Sequence, residues 1–329
     1  MNELETRQLR YFVAVAEELN FGRAAERLGM AQPPLSRAIR EIERQLGVRL
    51  FQRTTRQVTL TRAGEVLLGD ARTALDAVSA AGRRARHAGE PTQKLRLALK
   101  ADVDGGLLPA ILREYAREEG ALPVALVLGR YGEQAQAVRD GRADAAVLLG
   151  PFDERGLDSE QLVTEPYLIA VAADAPLAAR TSVRLADLAG WELPDGSPAD
   201  QGLDAAHGGP GVARARPSGQ GRDPDQGRDP DQGRDRDQPS AAAQDSSDLP
   251  QIFKLIELGS AVCFFPASLT RRYPRPEIAY RPVEDHAPAT LSVVWPECSR
   301  RPAVAAFVRA ATKVAEAARP EPGTPRAAT

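Results

Sequence analysis

Residues 21–53 read FGRAAERLGMAQPPLSRAIREIERQLGVRLFQR, and that stretch admits few folds. Leu35, Ile39, Ile42 and Leu46 recur at spacings of four, three and four, so a helix through them shows one apolar stripe to a core. Ser36, Arg37, Arg40 and Arg44 fall off the stripe. Gln32, Pro33 and Pro34 open the helix, where proline is tolerated because first-turn N–H groups have no intrahelical partner. Ala24, Ala25 and Leu28 give a shorter helix before it an inward face, and Gly29 supplies the left-handed residue that ends that helix. Two short helices across a turn at 29–32 are a way to present one of them to a DNA groove.

The flanks complete a small domain. Residues 6–19 place Leu9, Phe12, Val13 and Ala16 on one helical face, and Asn20 is placed to cap the next helix. Residues 50–53 and 58–61 read as a hairpin, a wing carrying Arg53, Thr55 and Arg56. Thr61 then caps a helix over about 62–87, in which Ala63, Leu67, Ala71, Ala74, Val78, Ala81 and Ala85 form a small-residue seam. The seam pairs two chains or packs on its own domain. Pairing is favoured because a helix so long between two domains has little of its own chain to cover it.

From residue 94 the pattern changes. Strands at 95–99, 124–128 and 143–149 alternate with helices at 107–118 and 134–140, which implies a parallel, doubly wound sheet. A second run has strands at 168–173 and 261–265, with helices at 185–189 and 249–258, so two α/β lobes are expected. A strand at 291–295 and a helix at 303–318 belong back on the first lobe. Residues 220–237 are the hexads QGRDPD, QGRDPD and QGRDRD, inside a Gly, Pro, Asp and Arg-rich stretch at about 195–245 that cannot build a core. It reads as a solvated surface insert, and 320–329 as a disordered tail.

The net charge of −2 does not advertise a nucleic-acid binder, but the charge is uneven. Residues 1–90 carry 15 Lys and Arg against 11 Asp and Glu, a surplus of +4. Cys263 and Cys298 cannot make a disulfide framework, and no leader or membrane-spanning run is evident, so a soluble cytoplasmic protein is expected. His87, His207 and His286 are scattered, so neither a metal set nor a catalytic triad is suggested, and no cofactor motif appears.

Residues 4–61 closely resemble the winged helix-turn-helix of LysR-type transcriptional regulators. The matching residues are Ala24, Ala25, Leu28, Gln32, Ser36, Ile39, Ile42, Glu43, Leu46, Gly47, Leu50, Phe51, Arg53, Leu60, Thr61, Ala63 and Gly64. GRADAAVLLG and IELGSAVCFFP stand where the family has similar strings in its effector domain. The resemblance implies an N-terminal all-α winged helix-turn-helix with a long linker helix, then a C-terminal two-lobed α/β domain like periplasmic solute-binding proteins. The expected division is 1–61 for DNA binding (helix-turn-helix 21–40, wing 50–61), 62–89 for the linker and dimerisation helix, and 90–319 for the effector domain. Lobe 1 takes 94–163 and 287–318, and lobe 2 takes 164–286. Two departures stand out: Ala31 where many members cap the reading helix with Ser or Thr, and the hexads inside lobe 2.

The resemblance sends the first turns of the second helix into the major groove and the wing along the backbone. Gln32 suits adenine, Arg37 guanine, and Ser36 a base or a phosphate, with Pro33 and Pro34 beside them. Arg40, Arg53 and Arg56 suit phosphates, with Thr55 at the wing tip. Open α/β sheets bind ligands beyond their strands' carboxyl ends, which here gives Lys100, Ala101, Asp102, Arg130, Tyr131 and Pro151, with Phe265 and Pro266 from the other lobe. Lys100 and Arg130 suggest a small anionic effector; ordinary surface charge is the other reading. The expected partners are double-stranded DNA, a small-molecule effector and a second copy of the chain, as dimer or tetramer. The competing functions are a constitutive DNA binder whose insert has disrupted the effector lobe, and a solute-binding protein with a DNA anchor.

Overall fold

The computed structural model describes residues 4–54, 57–203 and 248–318; Thr55, Arg56, His207, the hexads and the tail lie outside the described residues. The head comprises α1 (Thr6–Glu18), α2 (Phe21–Arg27), α3 (Gln32–Leu46) and the antiparallel pair β1 (Phe51–Arg53) and β2 (Val58–Leu60). Asn20 caps α2, its side chain accepting from the N–H groups of Gly22 and Arg23 at 2.8 and 3.1 Å. Phe51 brings its ring within 5.5 Å of Phe12 and 6.0 Å of Phe21, so the first residue of the wing closes the core beneath α3. Leu35, Ile39 and Ile42 are fully buried, but Leu46, expected as the fourth member of their stripe, is 37% exposed. The chain turns away at Gly47, whose φ is 71°, and the core ends one turn earlier than the periodicity implies.

Thr61 caps α4 (Arg62–Ala88), accepting from the N–H of Gly64 at 3.1 Å. The first half of α4 packs on α1, with Arg72 paired to Glu17 at 2.8 Å. Farther along, Ala71 and Ala80 are buried while Ala74, Val78, Ala81 and Ala85 of the same seam are exposed. The expectation that this helix finds little cover within its own chain therefore fails in part.

The effector region begins with β3 (Leu95–Leu99), α5 (Leu108–Tyr115), β4 (Val124–Leu128), α6 (Glu133–Arg139), β5 (Ala145–Leu149) and β6 (Leu157–Glu165). Next come β7 (Tyr167–Ala172), α7 (Leu249–Glu257), β8 (Cys263–Pro266), α8 (Ala267–Arg272), β9 (Ile278–Pro282), β10 (Ala289–Pro296) and α9 (Pro302–Ala318). The first sheet runs β4-β3-β5-β10-β6 and the second β8-β7-β9. The segment at 289–296 does return to the first lobe, as its apolar pattern implies. The all-parallel expectation is corrected: β3 is parallel to β4 and β5, β10 is antiparallel to both β5 and β6, and the second sheet is antiparallel throughout. The reason is topological. The chain leaves lobe 1 along β6 and comes back along β10, so these neighbours must run in opposite directions.

Candidate DNA-reading face and effector cleft

On a helix turning 100° per residue, Arg37, Arg40 and Arg44 fall within about 60° of one another, opposite the buried stripe. Gln32, Pro33, Arg37 and Arg40 are exposed, and Pro34 and Ser36 half-buried. Pro33 and Pro34 occupy the first turn, and Ala31 offers no side-chain cap, so the polar first-turn groups of α3 remain available to a partner. The outward face can thus offer an amide, a hydroxyl and a guanidinium in succession to base edges.

Arg53 is differently placed. Its guanidinium stacks on the Phe21 ring at 4.3 Å and lies 3.8 Å from the carboxylate of Glu43, with 30% of the side chain exposed. Burial pushes its pKa down, Glu43 opposes that, and the nearby charges of Arg40 and Arg49 add to it. Glu43 is a residue that sequence reasoning missed as a structural centre. It is 7% exposed, and its Oε1 accepts from the N–H groups of Leu50 and Phe51 at 2.9 and 3.3 Å, tying the end of α3 to the start of the wing.

In the effector region a cavity of about 320 Å³ opens between the lobes. Lobe 1 contributes Lys100, Ala101, Asp102, Leu128, Gly129 and Arg130, all at the ends of β3 and β4. Lobe 2 contributes Asp248, Leu249, Pro250 and Phe253 from the start of α7, with Tyr273 and Arg275 after α8. The Lys100 ammonium is ion-paired with Asp102, so its charge is already met within lobe 1. Arg275 pairs with Glu257 at 2.9 Å and stacks on Phe253 at 4.5 Å. The cavity takes in Lys100, Ala101, Asp102 and Arg130 of the expected effector residues and leaves out Tyr131, Pro151, Phe265 and Pro266.

Those four have other surroundings. Tyr131 is 8% exposed, its hydroxyl hydrogen-bonds that of Tyr167, and burial raises its pKa to about 12. Phe265 is fully buried against Phe253 at 5.5 Å, Pro266 is buried beside it, and Pro151 is exposed after a cis peptide bond. Among the described residues no group of His, Cys, Asp or Glu could hold a metal ion, and no helix is long and apolar enough to cross a membrane. Cys263 is fully buried with its thiol pKa pushed up by that burial, whereas Cys298 is exposed.

Residues 6–65 match the model of the bacterial regulatory helix-turn-helix protein, lysR family, and residues 88–220 match the LysR substrate binding domain. The HTH-type transcriptional regulator IlvR of Caulobacter vibrioides is 30% identical over 323 residues, which cover 94% of this chain and 98% of that one. The chain belongs to the LysR family. The Hca operon transcriptional activator HcaR of Escherichia coli is 28% identical over 306 residues, 93% of this chain and 96% of that one. The match to the HTH-type transcriptional regulator AlsR of Bacillus subtilis is shorter, 35% identical over 186 residues, 56% of this chain and 62% of that one. The solved structure of full-length CbnR complexed with its target DNA is similar at 25% identity over 95% of this chain and 100% of that one, with a TM-score of 0.44. This LysR-family chain is therefore a DNA-binding transcriptional regulator with an effector-binding domain, and its family consists of regulators rather than enzymes.

Proposed function

We propose that this regulator reads its operator with the first turns of α3, works in the cytoplasm as paired chains, and answers a small acid held between its lobes. In this reading residues 1–61 bind DNA, 62–89 link and pair, and 90–319 sense. The exposed Ala74, Val78, Ala81 and Ala85 supply the pairing face. The acid would set its charged end toward Arg130 and its apolar body against Leu128, Phe253 and Tyr273.

One observation carries the coupling: α6 reaches both the cleft and the linker. At its first end Glu133 accepts from the N–H of Arg130 at 2.9 Å, and the Gln134 amide donates to the Arg130 carbonyl at 2.6 Å. At its other end the Gln136 amide donates to Asp76 of α4 at 2.7 Å, and Arg83 of α4 donates to the Asp140 carbonyl at 3.1 Å. A ligand that moves Arg130 therefore moves a short rigid helix whose far end grips α4, and preferring one arrangement of the lobes biases the placement of the heads. A footprint on operator DNA, recorded with and without a panel of small carboxylic acids, tests this. A footprint that no acid changes, from a protein whose melting temperature no acid raises, would favour constitutive binding instead.

For the reading end, Arg37→Ala is expected to lose about 1–3 kcal/mol of discrimination between a duplex selected by the wild-type protein and a random one. Equal titrations of wild type and variant against both duplexes would remove Arg37 from the base-reading set.

A further inference from the structure

We propose that the far end of α3 carries a second DNA seat, a site for a backbone phosphate built from Arg40, Arg44 and Arg49. The proposal rests on the assignment of α3 to DNA; the motif already suggests Arg40 for a phosphate, and the geometry adds Arg44 and Arg49 to make a seat at the far end of the helix.

A concave space of about 330 Å³ lies there, lined by Arg40, Glu43, Arg44, Gly47, Val48 and Arg49. The charge around it is unbalanced. Residues 32–53 hold five arginines and two glutamates, +3 of the +4 carried by the first 90 residues. Glu43 is turned inward and spent on the N–H groups of Leu50 and Phe51, and Glu41 pairs with Arg44, with Arg44 Nε donating at 2.8 Å. Arg40 makes a long bond of 3.3 Å to the Ser36 carbonyl and no ion pair among the described residues, and Arg49 is exposed with no side-chain partner among them. Burial is the main cause that lowers the pKa of neighbouring Arg53 and Glu43 opposes it, but the charges of Arg40 and Arg49 also act on it, so the cluster holds more cations than its two carboxylates match. The end of α3 opposes an anion with roughly half a negative charge, which the two unmatched guanidinium groups outweigh.

The direction is right as well. Arg40 and Arg44 share the outward face of α3 with Arg37, so a helix lying in the groove at Arg37 brings the flanking backbone past Arg44 and Arg49. A guanidinium fork matches two phosphate oxygens, and such contacts fix register without reading sequence.

The experiment uses the full chain and two unrelated duplexes, with affinity measured from 50 to about 300 mM salt. Arg49→Gln is expected to weaken both duplexes about fivefold at physiological salt and to make the slope of log affinity against log salt shallower by about 0.9, one phosphate contact. Arg49→Lys should restore most of the slope. Preference between the duplexes should not change, in contrast to Arg37→Ala. An unchanged slope in Arg49→Gln, with Arg37→Ala still losing discrimination, overturns the phosphate seat and leaves the reading of α3 standing. If Arg37→Ala and Arg49→Gln both bind as wild type does, the assignment of α3 fails first. Saturable binding of inorganic phosphate that Arg49→Gln abolishes, without any change on DNA, would assign the site to a free anion and overturn the proposal as well.

Discussion

Replacing Glu43 with alanine is expected to be the most damaging single change in the DNA-binding head, lowering its stability by about 3 kcal/mol or more. The carboxylate is nearly buried and is the acceptor for two backbone N–H groups at the α3–wing junction. Alanine strands both donors at the junction, and a water entering from the concave space that Glu43 lines would meet them less well than the fixed carboxylate does. It also leaves Arg53, held over Phe21, without its carboxylate. A loss of this size is a large fraction of the roughly 5–15 kcal/mol that stabilises a domain. Glu43→Gln keeps an acceptor oxygen and is expected to cost only about 1 kcal/mol. Because a chain of several domains has no single unfolding free energy, hydrogen exchange at residues 35–60 is the suitable measurement. Alanine and glutamine variants with equal exchange rates would mean that the charge, and not the acceptor, holds the junction.

Glu43 also marks where sequence reading stopped. The periodic apolar residues located α3, and Asn20 and Thr61 showed their capping roles in the residue order alone. Strands β3 and β4 were legible to the residue, because VALVL is a short apolar run and LRLAL is one broken only by Arg96. Strand β6 was not, since LDSEQLVTE buries only Leu157, Leu162 and Glu165 and so shows neither an apolar run nor a regular alternation. A glutamate in a polar helix likewise looks solvated until the fold folds the wing back over it. For the cleft, strand ends pointed to Lys100 and Arg130, both of which line the cavity between the lobes. On lobe 2 the same rule pointed to Phe265 and Pro266, but β8 is covered on both faces, and the wall comes from the first turn of α7 and the turn after α8. Those positions carry no local signal, because what puts Phe253 and Tyr273 together is tertiary packing at 6.1 Å.

The link between α6 and α4 yields the second large effect, at Gly141. Its φ is 77°, and a Cβ there would lie 2.9 Å from the Ala80 Cα of α4 and 3.3 Å from the Ala80 carbonyl oxygen. Backbone inside a helix cannot give way as a side-chain tip can, so Gly141→Ala must either strain the turn or push α4 off α6. Gly132, at the other end of α6, has a φ of 81° and nothing within 4 Å of the same imagined Cβ. Gly132→Ala therefore carries the left-handed penalty alone, about 1 kcal/mol, whereas Gly141→Ala adds the collision and is expected to cost about 3 kcal/mol in total. Only the second variant should speed hydrogen exchange at residues 76–84 of α4, because it alone disturbs the contacts of Asp76, Ala80 and Arg83 with lobe 1. Equal losses from the two alanines, with α4 protected in both, would mean that α4 does not rest on α6 in solution, and the route from cleft to reading head would then have to run through some other contact.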